Sequence, residues 1–406
     1  MRLPGSKSQT NRLLVLAALA ASPTTLLDPL ESRDTALMAA GLRAMGADIT
    51  VTDRQWQVLP GPLSGPAEVD VGNAGTVMRF LPPVAALASG DVRLDGDPRA
   101  RERPMAPVLA GLRALGADVT ADHDRLPLVV HGRGWLLGGS VTIDASLSSQ
   151  FVSALLLVGP RCADAVEVRH RGDRLPSAAH IDMTVEMLRS AGAIVEHIDD
   201  GAWRVEPGPV RLGRVQVEPD LSNAAPFLAA AVVTGGRVTV PDWPLRTTQA
   251  GDALRDLLPR FGAVVTQDEH GLTVTGPQRL LGADLDLGAV GELAPTLAAI
   301  AALASTPSRL TGIGHLRHHE TDRLAAIAAE IGALGGDVRE LPDGLEVRPR
   351  PLHGGPVTTY EDHRLATMAA VLGLGVPGID VLDVATTAKT LPGFVDLWTG
   401  LVTDVA

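Results

Sequence analysis

Apolar and polar residues alternate along this chain in blocks of two lengths. Short strand-like runs are followed by a small polar turn and an Ala/Leu-rich helix. A second short strand, a second helix ending near Gly-Ala or Gly-Gly, and further strand then follow. The block recurs six times, opened by the turns Gly5-Ser6-Lys7-Ser8, Gly72-Asn73-Ala74-Gly75-Thr76, Ser146-Leu147-Ser148-Ser149-Gln150, Asp220-Leu221-Ser222-Asn223, Gly291-Glu292-Leu293 and Glu361-Asp362-His363. These openings lie about 65–75 residues apart, longer than common solenoid periods. The second helices end as regularly, at Gly46-Ala47, Gly116-Ala117, Gly192-Ala193, Gly262-Ala263 and Gly335-Gly336. A glycine just past a helix supplies a left-handed cap, and five in matching places predict a repeat. Each unit must stack on its neighbours to bury its apolar face, so the prediction is α/β with three units in each of two domains. The candidate hinge is Val217-Glu218-Pro219.

With 406 residues and 45% hydrophobic content, the chain can bury a sizeable core. Aromatics are only 3%, so the apolar mass is Ala, Leu and Val. A net charge of -12 argues against nucleic-acid binding. One cysteine, Cys162, excludes an internal disulfide framework and a Cys-rich metal site. Arg2, Lys7 and Arg12 precede the apolar run Leu13–Ala21, but polar residues 7–11 interrupt the approach and the run is short. A buried first helix is expected there rather than a secretory signal. No apolar run reaches the ~20 residues of a membrane span, and the protein is expected in the cytoplasm.

Helix amino ends carry unpaired N–H groups and partial positive charge, which suits them to anions. Lysine sharpens that reading. Of 35 Lys and Arg, only Lys7 and Lys389 are lysine, and both sit in polar turns. An ammonium differs from a guanidinium in hydration and reach, so these two places call for an amine. Dense charge also marks Arg99–Pro104 and Arg317–Arg323, each expected to open a helix, with His319 and Arg323 on one helical face, and Asp362-His363-Arg364. His318, His319 and Glu320 lack the spacing of a zinc motif, and no metal is expected.

Taken in order, Pro4–Ser8 with Asn11-Arg12, Gly72–Thr76 with Arg79, Arg103-Pro104, Ser148-Ser149-Gln150, Glu320–Arg323, Asp362-His363-Arg364 and Lys389-Thr390 resemble the 5-enolpyruvylshikimate-3-phosphate synthase family. The resemblance covers essentially the whole chain. It implies an inside-out α/β barrel of two lobes, 6–217 mainly for shikimate 3-phosphate and 218–406 with 1–5 mainly for phosphoenolpyruvate, closing around the substrates. It implies transfer of an enolpyruvyl group without metal or organic cofactor, by a monomer whose partners are those two small molecules. Shikimate 3-phosphate would be held by Lys7, Ser8, Arg12, Ser148, Ser149, Gln150, Ser177, Glu292 and His319. Phosphoenolpyruvate would be held by Lys7, Asn73, Gly75, Thr76, Arg103, Gln150, Arg323, Arg364 and Lys389. Lys7, Glu292 and Glu320 would handle protons. The inhibitor glyphosate would sit beside Gly75, and sensitivity to it is expected.

The chain departs from the family pattern at Glu292, where Asp is usual, and at His319, His315 and His180, where Lys, Asn and Tyr are usual. Histidine titrates near neutrality, so shikimate 3-phosphate affinity should change between about pH 5.5 and 8. A titration flat across that range would remove the idea. Relatives usually carry a strand before Pro4, so one repeat is expected to be incomplete. Among rivals, UDP-N-acetylglucosamine enolpyruvyl transferase shares fold and chemistry but uses a loop cysteine, and Cys162 falls past Gln150. A P-loop kinase would need a glycine well before Gly5, which is missing. A repeat-built scaffold would have no use for two isolated lysines.

Overall fold

The computed structural model describes residues 1–52 and 54–403. The chain folds as two compact units, Gly5–Glu218 and Met1–Pro4 with the chain from Pro219 on.

Within Gly5–Glu218 the repeat is seen plainly in its second copy. Strand Ala67–Asp70 leads to helix Gly75–Ala86, strand Ser89–Asp95, helix Ala106–Ala114 and the hairpin Asp118–Ala121/Leu128–Arg133. Ala67–Asp70 pairs parallel with Ser89–Asp95 (Val69 opposite Leu94), and the hairpin joins antiparallel on the other edge (Val92 opposite Val130). The third copy repeats this from Gly139–Ile143 to Ala202–Val205. In the first copy the parallel strand comes from the far end of the unit. Arg214–Gln216 pairs with Thr24–Leu27, Val215 lying opposite Leu26.

Helix Gly75–Ala86 buries all 12 of its residues, which a surface helix could not do with an apolar stripe alone. Lys7–Ala18, Gly75–Ala86 and Gln150–Val158 pack on one another at the centre. Strands lie outside them with alternating burial, and the core fills the space between. This placement of helices within and sheets without is the inside-out α/β arrangement. The five predicted helix-end glycines, Gly46, Gly116, Gly192, Gly262 and Gly335, all have positive φ.

In the other unit, Leu221–Thr234, Ala294–Leu303 and His363–Gly375 form the inner bundle. Its middle repeat is complete, with Asp284–Asp286, Ser308–Thr311, Gly344–Arg348 and Asp337–Leu341 in one sheet. The other sheets are smaller, three strands (Arg237–Val240, Gly271–Thr275, Val264–Asp268) and two (Gly355–Val357, Ile379–Val381). Among the described residues no helix is long and apolar enough to cross a membrane.

Candidate active site

Each unit gathers buried charge at the amino ends of its inner helices. In Gly5–Glu218, Ser6 caps the first helix by accepting from the Gln9 N–H at 3.4 Å, which places Lys7 and Ser8 in the first turn. Lys7 Nζ lies 3.2 Å from Asp34 Oδ2, whose side chain is 2% exposed. One helical turn on, Arg12 is fully enclosed. Its Nε donates to Thr184 Oγ1 at 2.7 Å, Nη1 to the Ser8 carbonyl at 3.0 Å and Nη2 to the His180 carbonyl at 3.1 Å. Its guanidinium lies over the Phe80 ring. Burial pushes Arg12 down to about 9, so it stays charged at neutral pH. Among the described residues, its bonds go to neutral oxygens. A buried cation without a counter-charge is costly, and an anionic ligand would offset that cost.

The second helix opens at Gly75, with Gly72 in left-handed geometry before it. A Cβ at Gly75 would stand 2.9 Å from Arg103 Nη2, 3.1 Å from Gln150 Oε1 and 3.4 Å from Arg79 Nη1. Arg103 Nη1 donates to the Asn73 carbonyl and side-chain oxygen at 2.9 and 3.0 Å, and Arg79 Nη1 donates to Gln150 Oε1 at 2.7 Å. Thr76 Oγ1 accepts from Asn11 Nδ2 at 2.7 Å. Ser148 Oγ accepts from the Gln150 N–H at 3.3 Å, and Ser149 is buried at the start of the third helix. Ser177 stands two residues before helix Ala179–Ser190 with a left-handed φ of 50°, its carbonyl accepting from the His180 N–H.

The unit from Pro219 sets its buried cations against carboxylates. Arg323 binds Asp362 through two bonds, Nε to Oδ2 at 2.7 Å and Nη2 to Oδ1 at 3.1 Å, and both side chains are almost inaccessible. Glu320 bridges Arg323 Nη2 at 3.1 Å and Lys389 Nζ at 3.2 Å. Burial by itself would lower the Arg323 guanidinium, but Asp362 and Glu320 outweigh it and hold it above its ordinary value. Arg364 is lowered, first by burial, and donates to the Ser222 carbonyl at 2.7 Å. Ser222 Oγ in turn donates to Glu292 Oε1 at 3.3 Å. This half therefore sets Arg323, Arg364 and Lys389 beside the carboxylates of Asp220, Glu292, Glu320 and Asp362. Such a set can grip an anion and still exchange a proton.

Two local expectations need correction. Arg317–Arg323 does not form one helix. Gly314–His318 is a 3₁₀ turn, and the α-helix begins at Arg323 because Asp322 caps it, accepting from the Ala325 N–H at 3.1 Å. His319 and Arg323 meet nonetheless, Nδ1 to Nη1 at 3.2 Å; arginine can only donate, so Nδ1 accepts. His315 packs edge-on against His319, with ring centroids 5.6 Å apart. Arg99–Pro104 is likewise split. Pro98–Glu102 forms a short helix and Arg103 follows its end, which frees the guanidinium to reach Asn73.

The structure thus groups Lys7, Ser8, Arg12, Asn73, Gly75, Thr76, Arg103, Ser148, Ser149 and Gln150 at three helix starts of one unit. It groups Glu292, His319, Glu320, Arg323, Arg364 and Lys389 in the other. Asp34 was missed by sequence reasoning, since Ser32-Arg33-Asp34-Thr35 reads only as a capping box. Asp362 was visible in its motif but without a role. Among the described residues no group of His, Cys, Asp or Glu is placed to hold a metal ion.

The sequence profile of the family described as EPSP synthase (3-phosphoshikimate 1-carboxyvinyltransferase) matches residues 1–398. A curated relative from Kocuria rhizophila, named 3-phosphoshikimate 1-carboxyvinyltransferase, is 56% identical, the match covering 98% of this chain and 93% of the relative. Among solved structures, an EPSP synthase from Acinetobacter baumannii superposes with a TM-score of 0.80 at 24% identity, over 100% of this chain and 94% of that one. The enolpyruvyl transferase NikO from Streptomyces tendae superposes at 0.79 with 20% identity, over 99% and 94%.

Proposed function

Because the chain belongs to the EPSP synthase family, we propose that it transfers the enolpyruvyl group of phosphoenolpyruvate to the 5-hydroxyl of shikimate 3-phosphate and releases phosphate. The observation that carries the residue-level reading is Glu320, held between Lys389 and Arg323. It sets a carboxylate for proton exchange beside two cations suited to a phosphate or carboxylate.

The 5-hydroxyl oxygen attacks C2 of phosphoenolpyruvate while a proton reaches the C3 methylene, giving a tetrahedral adduct. Loss of a proton from that methyl carbon and departure of phosphate restore the double bond. In this reading Glu292 takes the hydroxyl proton, and Lys7 and Glu320 exchange the proton at C3. Lys7, Ser8, Arg12, Ser148, Ser149, Gln150, Ser177, Glu292 and His319 hold shikimate 3-phosphate. Lys7, Asn73, Gly75, Thr76, Arg103, Gln150, Arg323, Arg364 and Lys389 hold phosphoenolpyruvate. The enzyme acts as a cytoplasmic monomer.

The test is phosphate release on mixing the protein with both substrates, with UDP-N-acetylglucosamine as the rival acceptor. Activity with the rival alone would overturn the assignment. Cys162 speaks against that rival: it is buried, and burial pushes its thiol up to about 12, which leaves it unreactive at neutral pH. Glu320→Gln should lower kcat by roughly 10²–10⁴-fold in steady-state assays, the usual size for a lost acid–base group. Gly75→Ala should raise KM for phosphoenolpyruvate by about tenfold or more, because the new methyl pushes the Arg103 guanidinium off its position. KM for shikimate 3-phosphate, measured alongside, should stay near that of the parent.

A further inference from the structure

Arg323 takes its place from Asp362, and Asp362 takes its place from the two residues before it. Tyr360 and Glu361 both adopt left-handed backbone, φ 53° and 55°, which side chains of this size rarely do. They are exposed, so packing does not impose the conformation. Strain of this kind persists only where the surroundings over-determine it, and it collects at working sites.

A buried carboxylate anchors this segment. Glu330, 7% exposed, lies on helix Arg323–Ala333, the same helix that Arg323 opens. Its Oε2 accepts from the Thr358 N–H at 2.8 Å and its Oε1 from the Tyr360 hydroxyl at 2.7 Å. The two bonds clasp the chain on either side of Thr359, whose carbonyl accepts from the Asp362 N–H at 2.8 Å. Asp362 Oδ1 then accepts from both the Arg364 N–H and Arg323 Nη2, while Oδ2 takes Arg323 Nε.

We propose that Glu330 and Tyr360, the chain's one tyrosine, are positioning residues for the transfer reaction: together they hold the strained turn that presents Asp362, and through Asp362 they aim the Arg323 guanidinium. The proposal rests on the reading that Arg323 binds phosphoenolpyruvate. The Glu330 bond, with burial behind it, also pushes the Tyr360 hydroxyl up to about 12, so it remains a donor throughout the working range.

The experiment compares the parent with Tyr360→Phe, Glu330→Ala, Glu330→Gln and Glu361→Gly, measuring both KM values, kcat and Tm. Phosphate release by the parent tests the underlying reading by itself; a parent inactive with these substrates sinks that reading and leaves no grounds for this one. Given an active parent, Tyr360→Phe should raise KM for phosphoenolpyruvate about five- to tenfold, the scale of one hydrogen bond to a charged group. KM for shikimate 3-phosphate should change less than about twofold. Glu330→Ala should be worse in the same direction, and Glu330→Gln, which can bond both partners through its oxygen and its amide, should recover most of the loss. Glu361→Gly is the control arm. Glycine takes the left-handed φ without strain and leaves both Glu330 bonds in place, so Tm should hold within ~3 °C and KM for phosphoenolpyruvate within about twofold of the parent. A purely structural clasp would instead move Tm with both KM values together, and that pattern, or unchanged kinetics in Tyr360→Phe, would overturn the proposal.

Discussion

Replacing Arg323 with methionine is expected to destabilise the protein by about 3–5 kcal/mol, the usual consequence of breaking a buried ion pair from one side. The size follows from what is left behind. Asp362 is fully buried, and two of its bonds go to the departing guanidinium. Glu320 loses its bond to Arg323 and keeps Lys389. The remaining carboxylate in the interior costs far more than the pair itself contributes, because the pair was already offsetting its own desolvation. Denaturant melts of the ligand-free variant check this, and a loss under 1 kcal/mol would show Asp362 to be satisfied by other donors. The double variant Arg323→Met/Asp362→Leu should recover much of the stability and none of the activity. That contrast separates the structural from the chemical use of the pair.

Arg12 is expected to behave in the opposite way. Its charge is enclosed with neutral oxygens only, and burial lowers it to about 9. A cation lowered in the folded state costs stability wherever it is charged there. The cost is fully present below about pH 9 and fades as pH rises from there toward the guanidinium's ordinary value. Arg12→Met should therefore leave the ligand-free protein about as stable as the parent, or more so, near pH 7. Shikimate 3-phosphate affinity should fall by roughly 10²-fold or more, the scale of a desolvated charge pair. A thermal melt with and without that substrate reads both at once. The parent should gain Tm on binding and the variant should not. If the variant unfolds easily and still binds, Arg12 is part of the scaffold.

The inner helices were legible in the sequence because nothing else explains six Ala/Leu runs opening on Gly, Ser, Asn or Asp. The helix-end glycines were legible for the same reason: Gly46, Gly116, Gly192, Gly262 and Gly335 each needed a backbone only glycine takes cheaply. Lys7 and Lys389 stood out by scarcity. What the sequence hid was pairing over distance. Nothing near Asp34 announces Lys7, and nothing near Glu330 announces Tyr360, since 27 and 30 residues separate the partners. The helix expected over Arg317–Arg323 failed for a local reason. Asp322 competes as a cap, and Arg317 turns aside to Asp322 and Glu340. The fourth repeat's second helix is broken into 3₁₀ and short α segments, with Pro259 near its end.

The strand Arg214–Gln216 carries a consequence for biosynthesis. Copies two and three of the repeat close on themselves as they leave the ribosome, each drawing on a contiguous stretch of chain. The first copy cannot. Its segment Thr24–Leu27 is made early but waits for a neighbour encoded nearly two hundred positions downstream. During that interval a nascent chain carries an open sheet edge, the kind of edge that invites pairing with another polypeptide. A stalled or truncated product ending before Arg214 should accordingly be sticky, and chaperones that shield such edges should favour it over the finished protein.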